Sequence, residues 1–256
     1  MPWKDHLNRF KQEFNHIVAE SGTASKPPPV PPHPPSEPPF RGEVYWKPQF
    51  HPNVAVSHEW EAKIGNGPDG WGNQEVQFYT AEPQNAFHTP EGMLVIRALA
   101  NNSAPLPEHR YTSARLVSKQ ALGRDRGVLT ATILSPCAEG IWPAFWLLPR
   151  EPFSWPTDGE IDIAETWNGD HENRTRIPDM HCRPVRYDFA WEQPNGVPGQ
   201  GRMIWDMTIL LNVAIGGNVC GGKTPRNGYY DMVVYSLSMV KSVNIVAPAS
   251  DEFHHT

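Results

Sequence analysis

Between residues 44 and 243 the apolar positions fall into short runs, each about as long as one β-strand. Residues 93–99, 114–119, 127–133, 141–148, 207–215 and 229–237 are such runs, and 74–80 is rich in strand-forming residues. Clusters of Gly, Pro, Asn and Asp separate them, which is how turns punctuate a chain of strands. No long period of 3.6 residues follows residue 20, so βαβ units are not expected. Many short strands joined by polar turns predict an all-β antiparallel sandwich or jelly roll.

The first 43 residues follow other patterns. Leu7, Phe10, Phe14, Ile17 and Val18 share one face of a helix, so residues 1–20 are expected to form a short amphipathic helical tail. Residues 21–43 are a Pro-rich linker with nine prolines between 27 and 39, a composition that favours polyproline II and builds no core. Its PxxP matches suit an SH3- or WW-type module, although a stiff spacer is the simpler role. The expected domain therefore runs from 44 to 243, with a C-terminal tail at 244–256.

Composition narrows the function. A net charge of -6 and a pI near 6.0 leave no basic face for a nucleic-acid partner. No stretch is apolar and long enough to span a membrane, and charges interrupt the first residues where a signal peptide would need an apolar core. The default expectation from the sequence as written is a cytoplasmic location. The three cysteines, Cys137, Cys182 and Cys220, fit no zinc spacing. The ten tryptophans are either core or platforms for flat ligands, and only their positions decide.

One segment concentrates chemistry. In residues 156–167, Glu160 and Asp162 fall on one face of a strand by simple alternation, with Ile161 and Ile163 on the other. Glu165 would point the wrong way in a regular strand, and one β-bulge after Asp162 brings it back. Three carboxylates on one face repel each other, and stability offers no reason for them. A solvated strand face or a calcium site are the bland alternatives. A retaining glycosidase uses such a group directly, with one ionised carboxylate as nucleophile and one protonated carboxyl as acid.

Glu160-Ile-Asp-Ile-Ala-Glu165 resembles the ExDxxE signature of glycoside hydrolase family 16, the laminarinase and endo-β-1,3(4)-glucanase group. The segments at 140–149, 70–79, 111–119 and 212–217 resemble further stretches of the same family, so the likeness covers most of 44–240. It implies a curved, concanavalin A-like jelly roll with an open cleft. It also implies Glu160 as nucleophile, Asp162 as its helper and Glu165 as acid/base. Trp142 and Trp146 would line sugar subsites, and Asn73 and Arg115 would hydrogen-bond sugar hydroxyls. The implied substrate is a β-1,3- or β-1,3(4)-glucan. Transglycosylation on the same fold, or glucan binding with little or no activity, are the alternatives. No cofactor or catalytic metal is implied; some members of the family carry a structural calcium, for which Asp231 is a candidate ligand. The likeness breaks after Thr175, where 176–186 does not read as a strand, and after Trp205, where an expected hairpin is missing. One or two strands of the sandwich are therefore expected to be lacking.

Overall fold

A computed structural model of the chain describes residues 42–169, 184–192 and 202–241. The expected N-terminal helix, nearly all of the Pro-rich linker and the C-terminal tail lie outside these residues. The described residues form thirteen strands: β1 (Glu43–Trp46), β2 (Trp60–Lys63), β3 (Phe78–Tyr79), β4 (Ala86–His88), β5 (Leu94–Ala100), β6 (Tyr111–Ser113), β7 (Arg115–Ala121), β8 (Arg126–Leu134), β9 (Ile141–Pro149), β10 (Ile161–Glu165), β11 (Val185–Glu192), β12 (Met207–Ile215) and β13 (Gly228–Lys241). They build two sheets. One has the order β11-β8-β13-β5-β6-β3, with β1 on β13 and β4 on β5; the other has the order β10-β9-β12-β7-β2. All pairings between named strands are antiparallel except β3 with β6, which is parallel. The all-β jelly-roll-like sandwich expected from the apolar pattern is the fold found.

Period-2 patterning explains how each sheet finds its partner. In β12, Met207, Ile209, Leu211, Val213 and Ile215 enter the core between the sheets. Ile141, Phe145 and Leu147 of β9 meet them, and Leu94, Ile96 and Ala98 of β5 with Leu129, Ala131 and Ile133 of β8 come from the opposite sheet. Burying side chains of this size contributes roughly 1.5–3 kcal/mol each, which makes this layer the main source of stability. The intervening residues of β9 and β12 turn to the outer face of the five-stranded sheet. That face is where the acids lie.

Two sequence expectations need correction. Residues 74–80 are not one strand: residues Gly70–Gln74 make a single wide helical turn, Glu75 makes an isolated bridge to Gly216, and only Phe78–Tyr79 forms a strand. Asp69, Trp71 and Gln74 hold left-handed backbone angles there, and the glycines around them let the chain turn sharply. Gly217 shows why: a Cβ on it would sit 2.6 Å from the Asn73 carbonyl oxygen, at a φ of +73°. Second, Val185 and Arg186, read as part of a segment that was not strand-like, begin β11, which pairs along its whole length with β8. Tyr187, Phe189 and Trp191 alternate toward the core, so apolar spacing outweighs the polar residues between them. Residues 170–183, where the family-like strand was expected to be lost, lie outside the described residues. Between β11 and β12 no strand occurs among the described residues, and Ile204–Asp206 is a short 3-10 turn.

Candidate active site

The outer face of the five-stranded sheet is organised in cross-strand rows. One row runs Asp162, Trp146, Leu210, Val117, Glu61, read from β10 to β2. The next runs Glu165, Ala144, Asn212, Arg115, Lys63. All ten residues line one cleft of about 990 Å³. Glu160, Asn73 and Trp142 line it as well, so all seven residues singled out in the sequence meet in one place.

The register of β10 explains how the acids share a face. Asp162 lies opposite Trp146 and Glu165 opposite Ala144, with the register shifting between Asp162 and Ala164. Three steps along β10 thus match two along β9, which is a β-bulge at Ile163. In a regular strand with no bulge, positions 162 and 165 would face opposite sides. Ile161, Ile163 and Ala164 pack against the core instead.

Each acid has its own surroundings. Glu160 accepts a 3.1 Å hydrogen bond from the indole N–H of Trp155. Burial pushes the Glu160 carboxyl above the usual range, and Asp162 pushes the same way, while Trp155 and the Arg115 cation pull it back. Burial also raises Asp162. Glu165 accepts a 2.5 Å bond from the Trp142 indole. Burial raises Glu165 too, Trp142 opposes the shift, and Asp162, Glu160 and Glu75 add to it. Glu160 thus has a cation among its neighbours where Glu165 has three anions. Such asymmetry gives two like side chains different proton affinities.

The aromatic and cationic residues form a supporting layer. Arg115 stacks between Trp71 and Trp146, with its guanidinium carbon 4.5 and 4.7 Å from the two rings. Its Nε is buried without a hydrogen-bond partner. The Trp146 indole donates to Asn212 Oδ1 at 2.7 Å, which fixes the ring in the cleft wall. The Asn73 carbonyl accepts from the Asn218 amide at 2.7 Å, which ties the 70–74 turn to the loop after β12.

Three of the cleft residues not singled out in the sequence act on those that were. Trp155 is 66% exposed and reaches Glu160 from the loop before β10, a contact that no spacing rule reveals. Trp71 stacks on Arg115 from a left-handed backbone position. Glu75 is only 6% exposed. The alternation of Glu75, Gln77 and Tyr79 was the available signal for it, since three polar tips on one face of a half-buried segment need a reason. Asp231, the candidate for calcium, holds Arg97 through two 2.7 Å bonds. Among the described residues no group of three or more His, Cys, Asp or Glu is arranged to hold a metal ion.

Residues 75–185 match the family described as XgeA-like, catalytic GH16 domain. The chain is 26% identical over 255 residues to glucan endo-1,3-beta-glucosidase A1 of Niallia circulans, covering 75% of this chain and 36% of that protein. It is 36% identical over 128 residues to a beta-glucanase of Rhodothermus marinus, covering 48% and 43%. The chain therefore spans between a third and a half of the length of these two curated relatives. Its fold is similar to the X-ray structure of the laminarinase from Rhodothermus marinus, with a TM-score of 0.63 at 27% identity over 79% of this chain and 98% of that one.

Proposed function

The chain carries a domain of glycoside hydrolase family 16, and from that premise we propose that it is a retaining endo-glycosidase acting on β-1,3- or β-1,3(4)-glucan. The observation that carries this reading is the bulged β10, which turns Glu160, Asp162 and Glu165 into one cleft beside Trp142 and Trp146. Aromatic faces and planar donors suit pyranose rings and their hydroxyls. The similar proteins named a glucan endo-1,3-beta-glucosidase, a beta-glucanase and a laminarinase support the same substrate class.

The reaction runs in two displacements. A Glu160 carboxylate oxygen attacks the anomeric carbon. The glycosidic C–O bond breaks, and its oxygen takes the proton from Glu165. The sugar is left as an ester of Glu160. Glu165, now ionised, takes a proton from water, whose oxygen attacks the anomeric carbon and frees Glu160. Asp162 stands between the two acids and assists the protonation state of Glu160. Arg115 and the Trp155 N–H favour ionised Glu160, while the anions around Glu165 favour its proton.

Laminarin and lichenan test the proposal. Wild type releases reducing sugar from one or both, and Glu160→Gln lowers kcat by about 10³-fold or more, as removal of a covalent nucleophile does. Equal activity in the two proteins would end the proposal.

A further inference from the structure

We propose that Glu75 is a positioning residue of this site: a buried negative charge, anchored from below, that holds the proton on Glu165 and balances Arg115. The inference rests on the glycosidase reading above and adds to it a fourth carboxylate that takes no part in bond making.

The anchoring is extensive. Glu75 Oε2 accepts from Gln77 Nε2 at 2.6 Å and from the Tyr79 hydroxyl at 3.2 Å. Gln77 Oε1 in turn accepts from the Ile215 amide at 2.7 Å. The Tyr79 hydroxyl accepts from Asn212 Nδ2 at 3.2 Å, and Asn212 is the residue that holds Trp146. Asn66 Nδ2 donates to the Glu75 and Gln77 carbonyls, both at 2.8 Å. The backbone of Glu75 bridges to Gly216, just past the end of β12. Two residues back along β12, Ala214 lies opposite Trp142, whose indole holds Glu165. The side chain lines the same cleft as the three acids.

Stability does not require this group to be charged. Both donors to Oε2 would serve an amide oxygen equally well, and burying a carboxylate costs free energy that glutamine would not. A charge kept there acts on its neighbours. Those that face it are Arg115 from β7, Tyr79 from β3, Glu165 from β10 and Cys220 from the loop after β12; Arg115 also feels Glu160 and Glu151. Burial pushes the Glu75 carboxyl above the usual range, and Gln77, Arg115 and Tyr79 pull it back toward the anion. The anion disfavours ionisation of Glu165 and occupies part of the field of Arg115.

The test is the pH profile of kcat/KM on laminarin for wild type, Glu75→Gln and Glu75→Asp. Activity needs Glu165 protonated and is lost as pH rises through its pKa. Removing the Glu75 charge lowers that pKa, so Glu75→Gln moves the basic limb to lower pH by about half a unit or more. The acid limb moves the same way, because Arg115 then acts more fully on Glu160. Glu75→Asp keeps the charge and leaves the basic limb close to wild type. A lower plateau with unmoved limbs shows a purely structural role and overturns the inference. Titration of the Glu165 carboxyl by 13C NMR reads the same shift without substrate. A wild type that cuts no β-glucan therefore sinks the glucanase reading while the titration still decides this one. Should Glu75→Gln not fold, the wild-type titration decides: Glu75 is ionised where Glu165 releases its proton, and a protonated Glu75 there overturns the inference.

Discussion

Glu160 and Glu165 are the same side chain in different surroundings, and the difference is readable atom by atom. The Trp155 N–H stabilises the anion of Glu160, so Trp155→Phe removes a force that lowers its pKa. In the proposed mechanism activity requires ionised Glu160 and is lost as pH falls through that pKa. The acid limb of kcat/KM is expected to move to higher pH in Trp155→Phe. The Trp142 N–H lowers Glu165 in the same manner, so Trp142→Phe should move the basic limb to higher pH. Acid and basic limbs thus respond to different tryptophans, and pH profiles of the two variants check the pairing. A profile in which Trp155→Phe moves only the basic limb would falsify the assignment of nucleophile and acid. At this scale the three acids, Trp142, Trp146, Asn73 and Arg115 were legible from residue type and motif. Trp155 and Trp71 were not, because the contact of each depends on a loop path that no periodicity encodes.

Bulges set the faces at the level of the strand. β13 carries one between Val234 and Ser236, which lets Met232 and Val234 share the core with Leu237 and Met239 despite the odd step between them. The odd step between Asp162 and Glu165 was visible in the sequence, whereas the one in β13 was not, because Val233 and Tyr235 between its core residues are apolar too. Register arithmetic on β10 makes a prediction. Deleting Ile163 removes the bulge but leaves Asp162 opposite Trp146 and Glu165 opposite Ala144, so the protein should fold and keep measurable activity. Deleting Ile163 and Ala164 together brings Glu165 opposite Phe145, on the core side. An unpaired buried carboxylate costs several kcal/mol, so this variant should be unfolded or inactive by circular dichroism and assay. β11 was missed although Val185, Tyr187, Phe189 and Trp191 alternate cleanly, because the charged residues just before it masked its start. Trp191 lies directly over Gly127, where a Cβ would fall 2.6 Å from the ring and 2.9 Å from the Val240 carbonyl. Gly127→Ala is expected to destabilise by about 1–3 kcal/mol through overpacking, read as a lower midpoint in urea or heat.

Across the whole molecule the cleft crosses every strand of the five-stranded sheet, from Glu61 and Lys63 on β2 to the acids on β10. Four inter-strand steps of ~4.8 Å span roughly 19 Å, enough for several consecutive sugar units. Under the proposed function a glucan chain lies across this surface and is cut internally. Early digests of laminarin are therefore expected to contain mixed oligosaccharides instead of glucose alone, which chromatography of the first products checks. The sequence alone determined that the chain is an all-β sandwich, that its acids share one face and which residue types surround them. Those conclusions follow from periods of two, from one parity change and from a local motif, and each is a short-range property of the chain. Only the tertiary structure decided which acid has a cation for a neighbour, that Trp155 reaches Glu160 and that Glu75 is buried beneath the cleft. Electrostatics at the site depends on distance and burial between segments far apart in sequence, and folding alone brings those segments together.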